Sequence, residues 1–281
     1  MGFNPLEVKQ EKDLYPTVLE MITVFKKLWA DAWGARMEDI MRNSFITLAE
    51  HNLTLVEMPR LLTDATFRAG LVRDLHHAEA KNYWLNRFAA LSSAKKAEWI
   101  ESTLNKVSAF VSDPCIRDMV GQRRSTIDLR ALMDEGRYVF VNLSKGRLKS
   151  NSTLIGALLV SKLQEAAVSR EDIPEANRRP FRIYVDEFQD YATRSFEEIL
   201  SEMRKYKISL VMANQNLAQV QQTLLSSVMT NATVHVYFRC NREDAVRLAG
   251  EAFRATGKRI KYQLTDGGGL NPEPHTNPVF V

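Results

Sequence analysis

Apolar residues change their period once along this chain, near Arg130. Before that point they recur at intervals of three and four. Val18, Ile22, Phe25, Trp29 and Trp33 line one face, and Ile100, Leu104, Val107 and Val111 line another. That spacing marks amphipathic helices. Asp64 opens a third helical pattern, and Ser92 or Ser93 stands where an N-cap would start the helix carrying Trp99. About five or six helices and no strand of consequence are expected here. After Arg130 short apolar runs alternate with helical patterns. The runs are Tyr138 to Leu143, Phe181 to Val185, Ile208 to Ala213 and Val234 to Phe238; the helical stretches are Thr153 to Val168, Phe196 to Tyr206 and Glu243 to Phe253. Nearly continuous apolar runs of this kind suit strands of a parallel sheet buried on both faces. Right-handed crossovers bring the C-terminal ends of such strands to one edge, where ligands bind. Chemistry is therefore expected just after Leu143, Val185 and Ala213. The glycine- and proline-bearing tail from Asp266 to Pro278 reads as a loop or terminal extension.

Composition narrows the class without choosing a function. The chain has 281 residues, 45% hydrophobic and 26% charged, which excludes a disordered, collagenous or coiled-coil protein. No run approaches the roughly 18 apolar residues of a membrane span, and the start Met1-Gly2-Phe3-Asn4-Pro5 lacks the pattern of a signal peptide. A cytoplasmic location is expected. Cys115 and Cys240 are too few for a disulfide framework and lack zinc-site spacing, so both read as buried thiols. The net charge of +4 is unevenly placed. Up to Arg130, 18 basic residues meet 17 acidic ones, whereas Ala232 to Tyr262 holds seven basic residues against three acidic and so equals the whole surplus. That segment suits either a solvated helix face or contact with a polyanion.

The expected strand ends differ in chemical content. The first, Asn142-Leu143-Ser144-Lys145-Gly146, reads as a plain strand-to-helix turn or a weak phosphate contact; it is not a GxxxxGK[ST] loop. The second delivers Ile183-Tyr184-Val185 into Asp186-Glu187. Adjacent carboxylates at the mouth of a buried strand are costly unless something cationic compensates them. This is the form of a Walker B element, in which Asp186 holds Mg²⁺ and Glu187 orients and deprotonates the attacking water. A helix N-cap is the plainer alternative. The third end, Ala213-Asn214-Gln215, offers an amide able to accept from that water and donate to a γ-phosphate. Arg204-Lys205, at the end of the intervening helical pattern, serves either the helix dipole or a neighbouring subunit's nucleotide as an arginine finger.

The run Asp186-Glu187-Phe188-Gln189-Asp190 matches a superfamily-one helicase motif, but the later helicase element is missing, Leu210 to Gln215 standing in its place. A closer likeness is to the HerA/FtsK superfamily of DNA-pumping P-loop ATPases, in its branch of TraD/TraG-like conjugation and type IV secretion coupling proteins. The motifs that carry it are Gly2-Phe3-Asn4-Pro5-Leu6, Val185 to Gln189, Ile199 to Tyr206 and Ala213-Asn214-Gln215. The resemblance implies an α/β, RecA-like P-loop ATPase core with a mostly parallel sheet plus an all-α insertion domain. It divides the chain into a core start (1–15), the helical insertion (16–125), the Walker B half of the core (126–262) and a C-terminal extension (263–281). It further implies ATP and Mg²⁺ as cofactors, Asp186 as metal and nucleotide ligand, Glu187 and Gln215 as catalytic groups, Gln215 also sensing nucleotide, and Arg204 acting across subunits. DNA, a homo-hexameric ring, and relaxase or secretion-system proteins meeting the helical domain are the implied partners.

Two departures qualify the likeness. Lys207 stands where the family often has glycine, so the turn there must be left-handed at a cost of about 1 kcal/mol or be reshaped. No GxxxxGK[ST] occurs between Met1 and Val281, so this polypeptide is not expected to hydrolyse ATP well alone. The sequence thus supports two functions. One is the C-terminal portion of a DNA-translocating, coupling-protein-like ATPase; the other is a non-catalytic protein- or nucleic-acid-binding adaptor derived from one.

Overall fold

Side-chain caps and apolar faces set the helices in the positions their spacing predicts. A computed structural model describes residues 2–148, 151–192, 194–252, 259–264 and 270–275. The early helices are α1 (Leu14–Leu28), α2 (Ala35–Glu50), α3 (Met58–Thr63), α4 (Ala65–Arg73), α5 (Ala78–Asn82), α6 (Ser93–Val111) and α7 (Pro114–Val120), with a π-helical turn at Tyr83–Phe88. Asp64 caps α4 by accepting from the amides of Thr66 and Phe67, and Ser92 caps α6 by accepting from Lys95. Thr54 and Glu57 form a reciprocal capping box before α3. The apolar faces meet in one cluster, where Val18, Ile22 and Phe25 of α1 join Ile40, Met41 and Phe45 of α2 and Val107 and Val111 of α6. The helix count exceeds the expected five or six because the middle of this region breaks into short helices at caps and prolines.

Beyond Arg130 come α8 (Leu129–Glu135), α9 (Lys145–Leu148), α10 (Asn151–Val168), β1 (Phe181–Val185), α11 (Arg194–Glu202) and β2 (Ile208–Met212). β1 and β2 pair in parallel, with Phe181 opposite Ile208 and Val185 opposite Met212. Only these two of the four expected strands form among the described residues, and they make a two-stranded sheet. The runs 138–143 and 234–238 are not strands. The reason is a lack of partners: Tyr138 and Phe140 stand 93% and 94% exposed, and Val234, Val236 and Phe238 are likewise exposed. A buried parallel strand is also not what β1 and β2 became. Ile183 and Ile208 are buried on the side of α11, whereas Arg182, Tyr184, Ser209 and Val211 are exposed on the other side.

The chain divides into two compact units, Met1–Ala213 and Asn214–Val281. The second contains α12 (Gln222–Asn231), α13 (Arg242–Ala252) and an antiparallel pair, β3 (Arg259–Leu264) with β4 (Leu270–His275). The tail is therefore not wholly loop, because β3 and β4 pair backbone to backbone; its glycines at 267–269 lie outside the described residues. Asp244, buried in this unit, accepts from the Leu217 amide and from Asn241, whose own side chain caps α13. Arg254 and Lys258 of the basic segment lie outside the described residues, while Arg239, Arg242 and Arg247 are exposed. Both cysteines are exposed, contrary to expectation. Cys115 sits in the first turn of α7 and Cys240 in the exposed stretch before α13, so neither faces a core.

A charged knot fastens the start of the sheet to the helices. Arg170 is completely buried, donates to the carbonyls of Tyr206 (3.0 Å) and Arg179 (2.7 Å), and sets its Nε 3.0 Å from Asp134 as an ion pair without hydrogen-bond alignment. Arg130 binds the same Asp134 and also Asp172 at 2.6 Å. Losing one partner of a buried pair leaves the other uncompensated, so Arg170→Ala should cost about 3–5 kcal/mol in denaturant unfolding. Nearby, burial and the hydrogen bond to Glu171 push the Tyr206 hydroxyl up to about 12. A raised acid binds its proton more tightly in the folded state, so its stabilisation is complete below the unfolded value near 10 and is lost as pH rises toward about 12. Tyr206→Phe should flatten that part of the alkaline stability curve, measured by urea melts at stepped pH.

Candidate functional site

Parallel pairing brings the ends of β1 and β2 side by side, and two backbone bonds extend the match beyond the ladder. The Ala213 amide donates to Val185 O (3.0 Å) and the Phe188 amide to Ala213 O (3.2 Å). Between them the chain turns sharply through Asp186 and Glu187. Glu187 adopts a left-handed conformation, φ 48 and ψ 47, which a non-glycine residue holds only where its surroundings insist. Asp186 Oδ1 accepts from the Glu187 amide at 3.0 Å, and Gln189 Nε2 donates to Glu187 Oε2 at 2.7 Å. The short 3-10 turn Phe188–Asp190 follows, anchored by buried Phe188 stacked on Phe196 with centroids 5.7 Å apart. Asp186 is exposed and Glu187 half-buried, so both carboxylates face the sheet edge rather than a core.

Cations gather behind this turn. Lys145, at the start of α9, pairs with Asp190 at 2.6 Å, and that hydrogen bond holds the ammonium above the ordinary lysine range. Burial lowers Lys27 of α1, while Asp190 and Glu197 oppose the shift. Tyr191 is raised by burial and then by Asp190, and its ring packs so closely on α10 that a Cβ at Gly156 would collide with it. Lys145 was expected as a weak phosphate contact or a plain turn residue; it stands as the partner of Asp190. Sequence reasoning missed Asp190, Gln189 and Lys27 as members of the site. Gln189 and Asp190 adjoin the carboxylate pair and were open to notice, whereas Lys27 lies more than a hundred residues away on an ordinary helix and gives no local signal.

Arg204 is not brought to the carboxylates of its own chain. Arg204 lies in the 3-10 turn Met203–Tyr206 before β2, exposed, at the opposite edge of the sheet from Asp186. A five-residue strand separates those edges by roughly 16 Å. Arg204 therefore cannot serve the Asp186 of its own chain. Gln215 belongs to the second unit, where it is exposed. Lys207 is left-handed at φ 59, so the turn into β2 keeps its geometry without glycine.

Among the described residues no group of three or more His, Cys, Asp or Glu side chains converges on a metal position. Mg²⁺ needs less than that, since it commonly takes one or two carboxylates and fills its shell with water and phosphate. Asp186 fits such a role through Oδ2, its Oδ1 being engaged with the Glu187 amide. A triphosphate is a poorer fit, because the chain contains no phosphate loop to cradle it.

Residues 180–265, which include β1, the carboxylate turn and β2, match the family described as the TraM recognition site of TraD and TraG. Among solved structures, the bacterial conjugative coupling protein TrwBdeltaN70, in an unbound monoclinic form, matches with a TM-score of 0.62 at 15% identity. The match covers 98% of this chain and 63% of that one, so this chain spans less than two thirds of its length. No curated protein matches the chain. The fold is thus shared with a coupling protein, and the TraD/TraG likeness is that of residues 180–265. No helix among the described residues is long and apolar enough to cross a membrane.

Glu187 and Lys207, both left-handed, store strain that glycine would release. Glu187→Gly and Lys207→Gly should each stabilise the chain by about 0.5–1 kcal/mol in denaturant unfolding. A loss of stability at Glu187 would mean that its contact with Gln189 outweighs the strain.

Proposed function

We propose that this chain is the Walker B-bearing portion of a coupling-protein-like ATPase with a RecA-like core, which uses ATP hydrolysis to move DNA or nucleoprotein during conjugative transfer. The observation that carries the reading is the parallel pairing of β1 and β2, which delivers Asp186 and Glu187 to the sheet edge inside the segment that matches the TraD/TraG family. In this reading Asp186 holds Mg²⁺ through its free oxygen, and Glu187, oriented by Gln189, positions the attacking water and takes its proton. Bound Mg²⁺ would supply charge neutralisation on the phosphates. Gln215 is assigned to sensing the nucleotide. Arg204, on the far edge of the sheet, is assigned to a neighbouring subunit, and this requires a ring such as a homo-hexamer.

The phosphate loop has to come from polypeptide outside this sequence. The bare side of the sheet, with Tyr184 71% exposed, supports that requirement, because parallel sheets are ordinarily covered on both faces. The description of the matching family supports a relaxosome protein as a partner of residues 180–265. The exposed arginines of the second unit suit DNA, and a location at the cytoplasmic side of the inner membrane follows from the same reading. The missing phosphate loop equally favours a second reading, a binding adaptor that has lost catalysis.

Expressed together with the coding sequence upstream of Met1, the protein should hydrolyse ATP with stimulation by DNA, and Glu187→Gln should lower turnover by about 100-fold or more. Turnover indifferent to that substitution overturns the role of Glu187. Calorimetric titration of this chain alone with Mg-ATP separates the readings further, since tight binding removes the adaptor.

A further inference from the structure

The loop that carries Lys145 is built to hold it at the carboxylate turn. Asn142 Oδ1 accepts from the Ser144 amide at 3.0 Å and Ser144 O from the Leu148 amide at 3.0 Å, which sets Lys145 at the first position of α9. Leu148 is buried, and Leu143 packs so close to α10 that a Cβ at Gly156 would stand 3.0 Å from its Cδ1. Both ends of the loop are fastened. From it the Lys145 side chain crosses to the turn Phe188–Asp190 and places Nζ 2.6 Å from Asp190 Oδ2.

The two partners do not depend on this pair equally. Lys145 is 62% exposed, so water can solvate its ammonium, whereas Asp190 is 21% exposed and its Oδ2 is shut off from solvent. An exposed cation loses little when its partner goes. A carboxylate oxygen closed to water is left uncompensated, and the backbone that carries it has to move to reach solvent. That backbone is the turn itself. The Asp190 amide donates to Glu187 O at 3.0 Å, the Tyr191 amide to Phe188 O at 3.1 Å and the Phe188 amide to Ala213 O at 3.2 Å. Glu187 enters the turn left-handed, a conformation that persists because these contacts and the Phe188–Phe196 stack hold it. Opening the turn at Asp190 relaxes Glu187 and changes the direction of its carboxylate.

We propose that Lys145 is a positioning residue: its pair with Asp190 locks the turn from Glu187 to Asp190 and so aims Glu187 at the attacking water. The proposal rests on the hydrolytic reading above. It differs from a phosphate-binding role in its kinetics, because lost positioning lowers kcat and kcat/KM together, whereas a lost phosphate contact raises KM.

Two measurements test it. In hydrogen exchange on this chain alone, Lys145→Met should speed the amides of Phe188, Asp190 and Tyr191 about tenfold, while the ladder amides of β1 and β2 keep their protection and show that the fold is intact. Lys145→Arg should behave as the unaltered chain. Adding Asp190→Asn to Lys145→Met should restore much of the protection, since a neutral amide needs no cation. In turnover, measured with the upstream coding sequence as above, Lys145→Met should lower kcat about tenfold at unchanged KM for ATP, and the double variant should recover part of the loss. Lys9→Met, which removes the exposed pair with Asp128 at 2.8 Å, should change neither measurement. Unchanged exchange in Lys145→Met, a rise in KM without loss of kcat, or a double variant no better than Lys145→Met overturns the proposal. If Glu187→Gln lowers turnover and Lys145→Met does not, the proposal alone falls; if Glu187→Gln leaves turnover intact, the hydrolytic reading falls and the proposal with it.

Discussion

The first unit depends on the burial of α10 on nearly every side. Leu154, Ile155, Gly156, Ala157, Leu158 and Val160 are all buried, and the helix packs against α1, α8, α9, α11 and the turns at 188–190 and 203–206. A helix that is apolar around its circumference cannot choose one face, so it becomes the element that others surround. Its few polar groups fix how they do so. Ser161 donates to Glu20 of α1 at 2.7 Å, Lys162 reaches Thr17 and Glu165, and Gln164 donates to Glu198 of α11. The helical array and the small sheet are thereby held on one axis, and the charged knot at Arg170 closes its end.

The candidate site inherits its geometry from that arrangement. Phe188 and Phe196 stack beneath the carboxylate turn, and Tyr191 rests on Gly156 of α10. Lys145 draws Asp190 toward α9. These contacts supply the rigid setting in which Glu187 can be left-handed. Asp186 and Glu187 lie at one edge of the sheet and Arg204 at the other. The other side of the sheet is bare, with Tyr184 and Val211 exposed.

Much of the local structure was legible in the residues. Asp64 and Ser92 cap the helices they were expected to cap, because a short polar side chain before an apolar repeat satisfies free amides using nothing but its own neighbours. The left-handed Lys207 was foreseen as one of two outcomes, since the turn from helix to strand leaves little choice. The runs 138–143 and 234–238 failed for the opposite reason. A strand is completed by hydrogen bonds to another strand, and an apolar run carries no mark of whether that partner is present. The cysteines failed similarly, because a small thiol gives no sign of which way its backbone faces.

By itself the sequence determined the helix starts, the pair Asp186-Glu187 after an apolar strand, and the resemblance to TraD/TraG coupling proteins, all of which rest on neighbours in the chain. Only the tertiary structure decided that the sheet has one covered side, that Lys145 and Lys27 stand behind Asp190, and that Arg204 is on the far edge from the carboxylates. Those facts depend on packing and pairing between segments far apart in the chain, where a residue's charge acts through space and leaves no trace in its local pattern.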